Sequence, residues 1–185
     1  TFGPHQGLMT VRRDLHDRLT NQGHYFNAAA PHKKLTPAGP DHAQIAAAAG
    51  IADYFDAIHA HHFADEVEAA ERGRRVHDLF RQTEQRRLAP LLDWLSLRDA
   101  VRIVGPADAA IRAPTVAVIP DKNPAFLARE LVEHKVMADN GDFYAVRVLD
   151  GLGIRLDPGV LRLSFVHYTS EAEINQLMAA LDAVL

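Results

Sequence analysis

Val160-Leu161-Arg162-Leu163-Ser164-Phe165-Val166 alternates, with Leu161, Leu163 and Phe165 on one face and Arg162 with Ser164 on the other. A period of two over branched and aromatic residues predicts a strand from Val160 to Val166 with one face in a core. The next segment, Ser170-Glu171-Ala172-Glu173, is a capping box, and Ile174, Leu177, Met178, Leu181 and Leu185 follow at helical spacing. Upstream, Val101-Arg102-Ile103-Val104 and Thr115-Val116-Ala117-Val118-Ile119 read as two further strands. Asn123-Pro124 supplies an N-cap and a first-turn residue for a helix through Phe126, Leu127, Leu131 and Val132. Residues from about 99 to 185 are therefore expected to form a compact α/β unit, its strands covered by two helices.

Farther upstream the pattern is helical, then irregular. Residues 64–95 carry Val67, Val76, Phe80, Leu88, Leu91, Leu92 and Leu95 among Arg and Glu, predicting a long helix that Gly73 and Pro90 bend or divide. Before it, Gly39-Pro40-Asp41 marks the start of an Ala-rich helix running to about His61. Residues 13–40 are rich in turn signals and predict an irregular connector, with a short extended piece at His24-Tyr25-Phe26. Leu8-Met9-Thr10-Val11 reads as a strand entered from a Gly/Pro loop. The chain opens on Thr1 in mid-turn, and the expectation is a fragment entered between two elements.

Composition narrows the chemistry. The 185 residues include 20 Lys plus Arg against 24 Asp plus Glu, a net charge of −4, with 48% hydrophobic and 24% charged residues, which fits a globular chain with its own core. The absence of cysteine removes disulfides, thiolate metal sites and a thiolate nucleophile from this segment. No basic block provides a footprint for nucleic acid, and no apolar run approaches the roughly 20 residues of a membrane span. The expectation is a cytoplasmic protein without a nucleic-acid or membrane partner. Neither a Gly-x-Gly-x-x-Gly nor a P-loop pattern is present.

Several residues carry possible chemistry. A guanidinium fixed in mid-strand at Arg162 needs an anion, and its planar fork suits a carboxylate held by two bonds; a structural ion pair with a nearby Asp or Glu is the plainer reading. Thr36-Pro37-Ala38-Gly39-Pro40 precedes a helix start, where backbone N–H groups and a hydroxyl favour a phosphate, although such loops also serve turn chemistry alone. His5 sits in a Gly/Pro turn and is a candidate site residue, with a turn-stabilising hydrogen bond as the alternative. The loop Gly141-Asp142-Phe143-Tyr144-Ala145-Val146-Arg147 either lines a site or covers a core edge. His59-Ala60-His61-His62 lacks an identifiable third ligand, so the expectation is no metal and a solvated helix end.

In this order the pieces resemble the C-terminal part of a class V aminotransferase, within its cysteine desulfurase-like branch of fold-type-I pyridoxal-phosphate enzymes. Thr1-Phe2-Gly3-Pro4 resembles the turn after the Schiff-base lysine, which the resemblance places immediately before Thr1 and so outside this chain. Leu35-Thr36-Pro37 resembles Gly-Thr-Pro, whose threonine reaches the cofactor phosphate in the partner subunit. Gly141 to Arg147 is similar to Gly-x-x-Cys-Ala-x-Pro, and Arg162-Leu163-Ser164 to the Arg-x-Ser strand whose arginine holds the substrate carboxylate. His167-Tyr168-Thr169-Ser170-Glu171-Ala172-Glu173-Ile174 looks like the closing Tyr-Asn-Thr-x-Glu-Glu-Ile.

The resemblance implies an α/β fold: residues 1–64 as the tail of the cofactor-binding large domain, 65–98 as a connecting helix and 99–185 as the small C-terminal domain. It further implies pyridoxal 5'-phosphate as cofactor, an amino-acid substrate and a homodimer. Arg162 and His5 would bind substrate, Thr36 the cofactor, and Tyr144 would shape the pocket or donate a proton, with packing the favoured role. Tyr144 stands where a desulfurase has its persulfide-forming cysteine, and a phenol cannot accept a sulfane sulfur. Leu35 replaces the glycine before Thr36, and Arg147 replaces the proline. Transamination, elimination and racemisation all stay open, and the alternative is a catalytically inactive relative acting as a dimerising or regulatory binding protein.

Overall fold

The computed structural model describes Gly3, residues 5–36 and residues 39–185. Thr1, Phe2 and Pro4 of the turn that resembles the post-lysine motif, and Pro37 and Ala38 beside Thr36, lie outside the described residues. The chain divides into two compact units, Thr1–Val76 and His77–Leu185.

In the first unit a short helix α1 (Arg13–Arg18) precedes 3-10 turns at Tyr25–Asn27 and Pro31–Lys33, then α2 (His42–Ala47) and α3 (Ala49–His62). The predicted strand at Leu8–Val11 does not form, and Leu8 and Met9 are exposed; no neighbouring strand supplies the ladder bonds that an isolated apolar run would need. The expected extended piece at His24–Phe26 is a 3-10 turn instead, closed by Asn27 N–H donating to the His24 carbonyl at 2.8 Å. The helix predicted from Asp41 to His61 is interrupted at Ala48, a break with no Pro or neighbouring capping residue to announce it. Lys34 ties the connector together, its Nζ donating to the carbonyls of His16 at 2.6 Å and Asp17 at 3.0 Å.

The long helix α4 (Ala69–Ser96) crosses from one unit into the other without division: Gly73 and Pro90 both lie inside it. Within the first unit Arg75 pairs with Asp65 at 2.8 Å and with Glu71 at 2.9 Å, fixing the turn that leads into the helix.

The second unit is built on a four-stranded antiparallel sheet in the order β1-β2-β4-β3, comprising β1 (Val101–Val104), β2 (Thr115–Pro120), β3 (Asp139–Gly141) and β4 (Val160–Ser164). Three of these strands fall where alternation predicts them. Asp139–Gly141 lacks any apolar signal and becomes a strand only through its pairing with Val160–Arg162. Between β2 and β3 runs α5 (Pro124–Glu133), started by Asn123, whose side chain accepts the Ala125 N–H at 2.8 Å. The segment expected as an irregular loop contains α6 (Val146–Gly151), and α7 (Glu171–Val184) closes the chain behind a reciprocal Ser170/Glu173 capping box.

One sheet face is heavily covered. Val116, Val118, Leu161 and Leu163 are buried there against Leu91, Leu92 and Leu95 of α4, Leu127 and Leu131 of α5, and Ile174, Leu177 and Leu181 of α7. Burial of such side chains contributes about 1.5–3 kcal/mol each and sets the register of β4, since a one-residue slip would put Arg162 in this core. The opposite face carries a smaller cluster, Leu149, Ile154 and Val160 with Val104, Ala117, Ile119, Phe143 and Ala145 packed against it. Arg162 stands on this second face, level with Ala117 of β2 and Asp139 of β3.

Candidate functional site

Arg162 owes its position to strand periodicity: with Leu161 and Leu163 committed to the main core, its side chain must leave by the other face. There it meets the loop after β3. Asp142 begins that loop with an Asx turn, its Oδ1 accepting the Tyr144 N–H at 2.9 Å while its carbonyl accepts the Ala145 N–H at 2.8 Å. Phe143 and Tyr144 are both in the left-handed region, φ 49° and 62°. Each costs an L-residue about 1–2 kcal/mol, and the pair reverses the chain within two residues. Phe143 is thereby folded back over the sheet, with the Arg162 guanidinium carbon 3.8 Å from its ring centroid, while Tyr144 is fully exposed.

Among the described residues the Arg162 guanidinium makes no ion pair and no hydrogen bond. Asp139 lies directly across the ladder, yet its Oδ1 accepts the Asn140 N–H at 2.8 Å and it forms no pair with Arg162. Other arginines of this unit are tied to acids, Arg87 to Glu171 at 2.9 Å and Arg98 to Asp182 at 2.5 Å. Arg162 is held by a ring face instead, which leaves its in-plane donors unspent.

Gly159 makes this arrangement possible. Its φ is +74°, and a Cβ there would stand 2.3 Å from the carbonyl carbon and oxygen of Gly141, so only glycine lets the start of β4 approach the end of β3. Asn140 donates from Nδ2 to the Pro158 carbonyl at 3.0 Å across the same junction.

The remaining sequence-predicted residues lie in the first unit. His5 is exposed. Thr36 is half-buried, with its own N–H donating to the Lys33 carbonyl at 3.1 Å. It lines a cleft with Met9, His16, Leu35 and His32. The helix start expected to supply phosphate donors does not do so: Asp41 caps α2, its Oδ1 accepting the Gln44 N–H at 3.0 Å. That bond is the main cause holding the Asp41 carboxyl below its ordinary value, and the resulting anion opposes a phosphate at the same place. What fits a phosphate here is the Thr36 hydroxyl with the imidazoles of His16 and His32, hydrogen-bonding groups on one cleft. Spacing did not single out those two histidines, because they approach Thr36 only through the connector's turns.

His59, expected at a solvated helix end, is instead buried and stacked on Phe63 with centroids 4.9 Å apart. His167 of the closing motif stacks on Phe80 at 3.8 Å, and burial pushes its pKa down from the ordinary 6.5.

Comparison with solved structures accounts for the two-faced sheet and the elements around it. A cysteine desulfurase from Thermococcus onnurineus NA1 superposes with a TM-score of 0.54 at 24% identity, over 63% of this chain and 28% of that one. The cysteine desulfurase CsdA from Escherichia coli gives 0.58 at 18% identity, over 82% of this chain and 32% of that one. The chain has the fold of the C-terminal part of a cysteine desulfurase. In sequence, an aminotransferase-like protein of Gibberella zeae is 26% identical over 189 residues, taking in 100% of this chain and 44% of that protein. No family model matches. The resemblance to class V aminotransferases and their cysteine desulfurase-like branch therefore holds for fold and for sequence, and the chain spans less than half the length of the curated relative it matches. Among the described residues no helix is long and apolar enough to cross a membrane.

Proposed function

We propose that this chain is the C-terminal part of a pyridoxal-phosphate-dependent enzyme acting on an amino acid, working without a persulfide cysteine. The observation that carries the reading is Arg162: a guanidinium fixed on a strand, stacked on Phe143, with no acid bound to it among the described residues. An internal ion pair would have made it structural. Its free fork is suited to grip an α-carboxylate by two parallel N–H···O bonds, which fixes orientation as well as position.

Thr36 would donate its hydroxyl to the cofactor phosphate of a partner subunit, with His16 and His32 lining the same cleft. Pyridoxal phosphate supplies the electron sink for a carbanion at the substrate α-carbon. The residues of this chain bind and orient around it: Arg162 holds the carboxylate end, Thr36 the phosphate end, and His5 belongs to the substrate side of the proposal. Tyr144, fully exposed on its left-handed turn, is assigned to the pocket wall. Homodimer assembly is part of the reading, and the exposed side chains of Leu8, Met9, Tyr25 and Phe26 support it as apolar surface available for burial.

The test is the protein purified with whatever precedes Thr1 in its gene. A visible absorption band that sodium borohydride bleaches is expected after incubation with pyridoxal phosphate. Colourless protein would favour a relative that has lost catalysis, for which the departures at Leu35, Tyr144 and Arg147 are the motive. A keto-acid requirement separates transamination from elimination or racemisation.

A further inference from the structure

We propose that Phe143 is the positioning residue of the carboxylate site, holding the Arg162 guanidinium flat in place of a counter-ion. The inference rests on the reading of Arg162 as the carboxylate-binding group. An arginine can be oriented by an acid or by an aromatic face, and the two differ in what they leave free. An acid bonds to the N–H edge and neutralises the charge, so an incoming carboxylate must displace it. A ring attracts the cation through its face and touches none of the five in-plane donors.

This sheet face offers both options and uses the second. Asp139 is in register with Arg162 but forms no pair with it, while the Phe143 centroid lies 3.8 Å from Cζ. The ring is itself immobilised on three sides. It packs against the cluster of Leu149, Ile154 and Val160, its backbone sits at φ 49°, and the next residue is pinned by the 2.9 Å bond to Asp142. Two consecutive non-glycine residues in the left-handed region are a cost that a loop merely covering a core edge need not carry. Here that backbone is what turns the ring onto the guanidinium.

The probe is the cofactor-loaded protein titrated with L-alanine and with ethylamine, the same amine without the carboxylate, each followed by the change in visible absorption. The ratio of their dissociation constants reads the carboxylate contact alone. In Phe143→Leu, which keeps apolar volume but loses the ring face, the preference for L-alanine is expected to fall by about 3- to 30-fold, the range of a cation–π contact. Phe143→Tyr is expected to retain it. Phe143→Met makes the same test where leucine lowers the folded fraction. If Arg162→Ala loses the preference while Phe143→Leu and Phe143→Met keep it, the role of Phe143 is overturned and the reading of Arg162 stands. If Arg162→Ala keeps the preference, or the wild type shows none, the reading of Arg162 fails and the inference with it.

Discussion

Gly153 and Gly159 share a left-handed backbone, φ +67° and +74°, but differ in their surroundings: a Cβ at Gly153 meets nothing within 4 Å, whereas at Gly159 it would stand 2.3 Å from the Gly141 backbone. Alanine at either position costs about 1–2 kcal/mol for the left-handed conformation, offset by about 0.4–1 kcal/mol from the stiffer unfolded chain. Gly153→Ala should therefore destabilise by about 1 kcal/mol or less. At Gly159 the clash is with backbone, which cannot rotate away, and overpacking strain of about 1–3 kcal/mol adds to the same conformational cost. The expected loss is about 2–4 kcal/mol, taken mainly from the β3–β4 pairing of Asp139–Gly141 with Val160–Arg162. The single tryptophan, Trp94, packs against the core of this unit, so urea unfolding followed by its fluorescence reports the relevant transition. Equal losses in the two variants would refute the argument, because they would mean that the close approach of Gly159 to Gly141 does not exist in solution.

Other consequences follow from the same packing and electrostatics. Leu161→Ala, at a fully buried position of the central core, should cost about 2–5 kcal/mol in the same urea assay; a loss below about 1 kcal/mol would show that β4 does not sit in that core. Burial lowers the His167 pKa, so the neutral ring favours the fold: its contribution is present above pH 6.5 and is lost as pH falls below 6.5 toward the folded value. His167→Phe, which keeps a ring on Phe80, should flatten the fall of the urea midpoint between about pH 7.5 and about pH 5, and an unchanged slope would contradict this. Thr36→Ala should weaken cofactor affinity by about 1–3 kcal/mol, as when a charged acceptor loses one donor, measured by absorbance titration; equal affinity would remove Thr36 from the phosphate site.

What could be read from the chain was what its neighbours in sequence decide. The alternation of Val160–Ser164, the branched runs of β1 and β2, the Asn123-Pro124 start and the Ser170/Glu173 box are local signals, and the structure places them as expected. Asp139–Gly141 escaped notice because Asp-Asn-Gly has no strand character of its own and pairs only because β4 offers an edge. The Leu8–Val11 run misled for the converse reason, an apolar segment with no edge to join. At the site, periodicity showed which face Arg162 occupies but not what it meets there. Phe143 is distant in sequence and reaches the guanidinium only through two left-handed residues, a conformation no residue type at those positions announces.

The most direct measurement is the steady-state kinetics of Arg162→Ala against the wild type, in the protein carrying its upstream segment and loaded with pyridoxal phosphate. Loss of a bidentate charge-assisted contact should raise KM for the amino-acid substrate by about 30-fold or more while the visible cofactor band persists. An unchanged KM would contradict the assignment of Arg162 to the substrate carboxylate, and with it the proposed function of this chain.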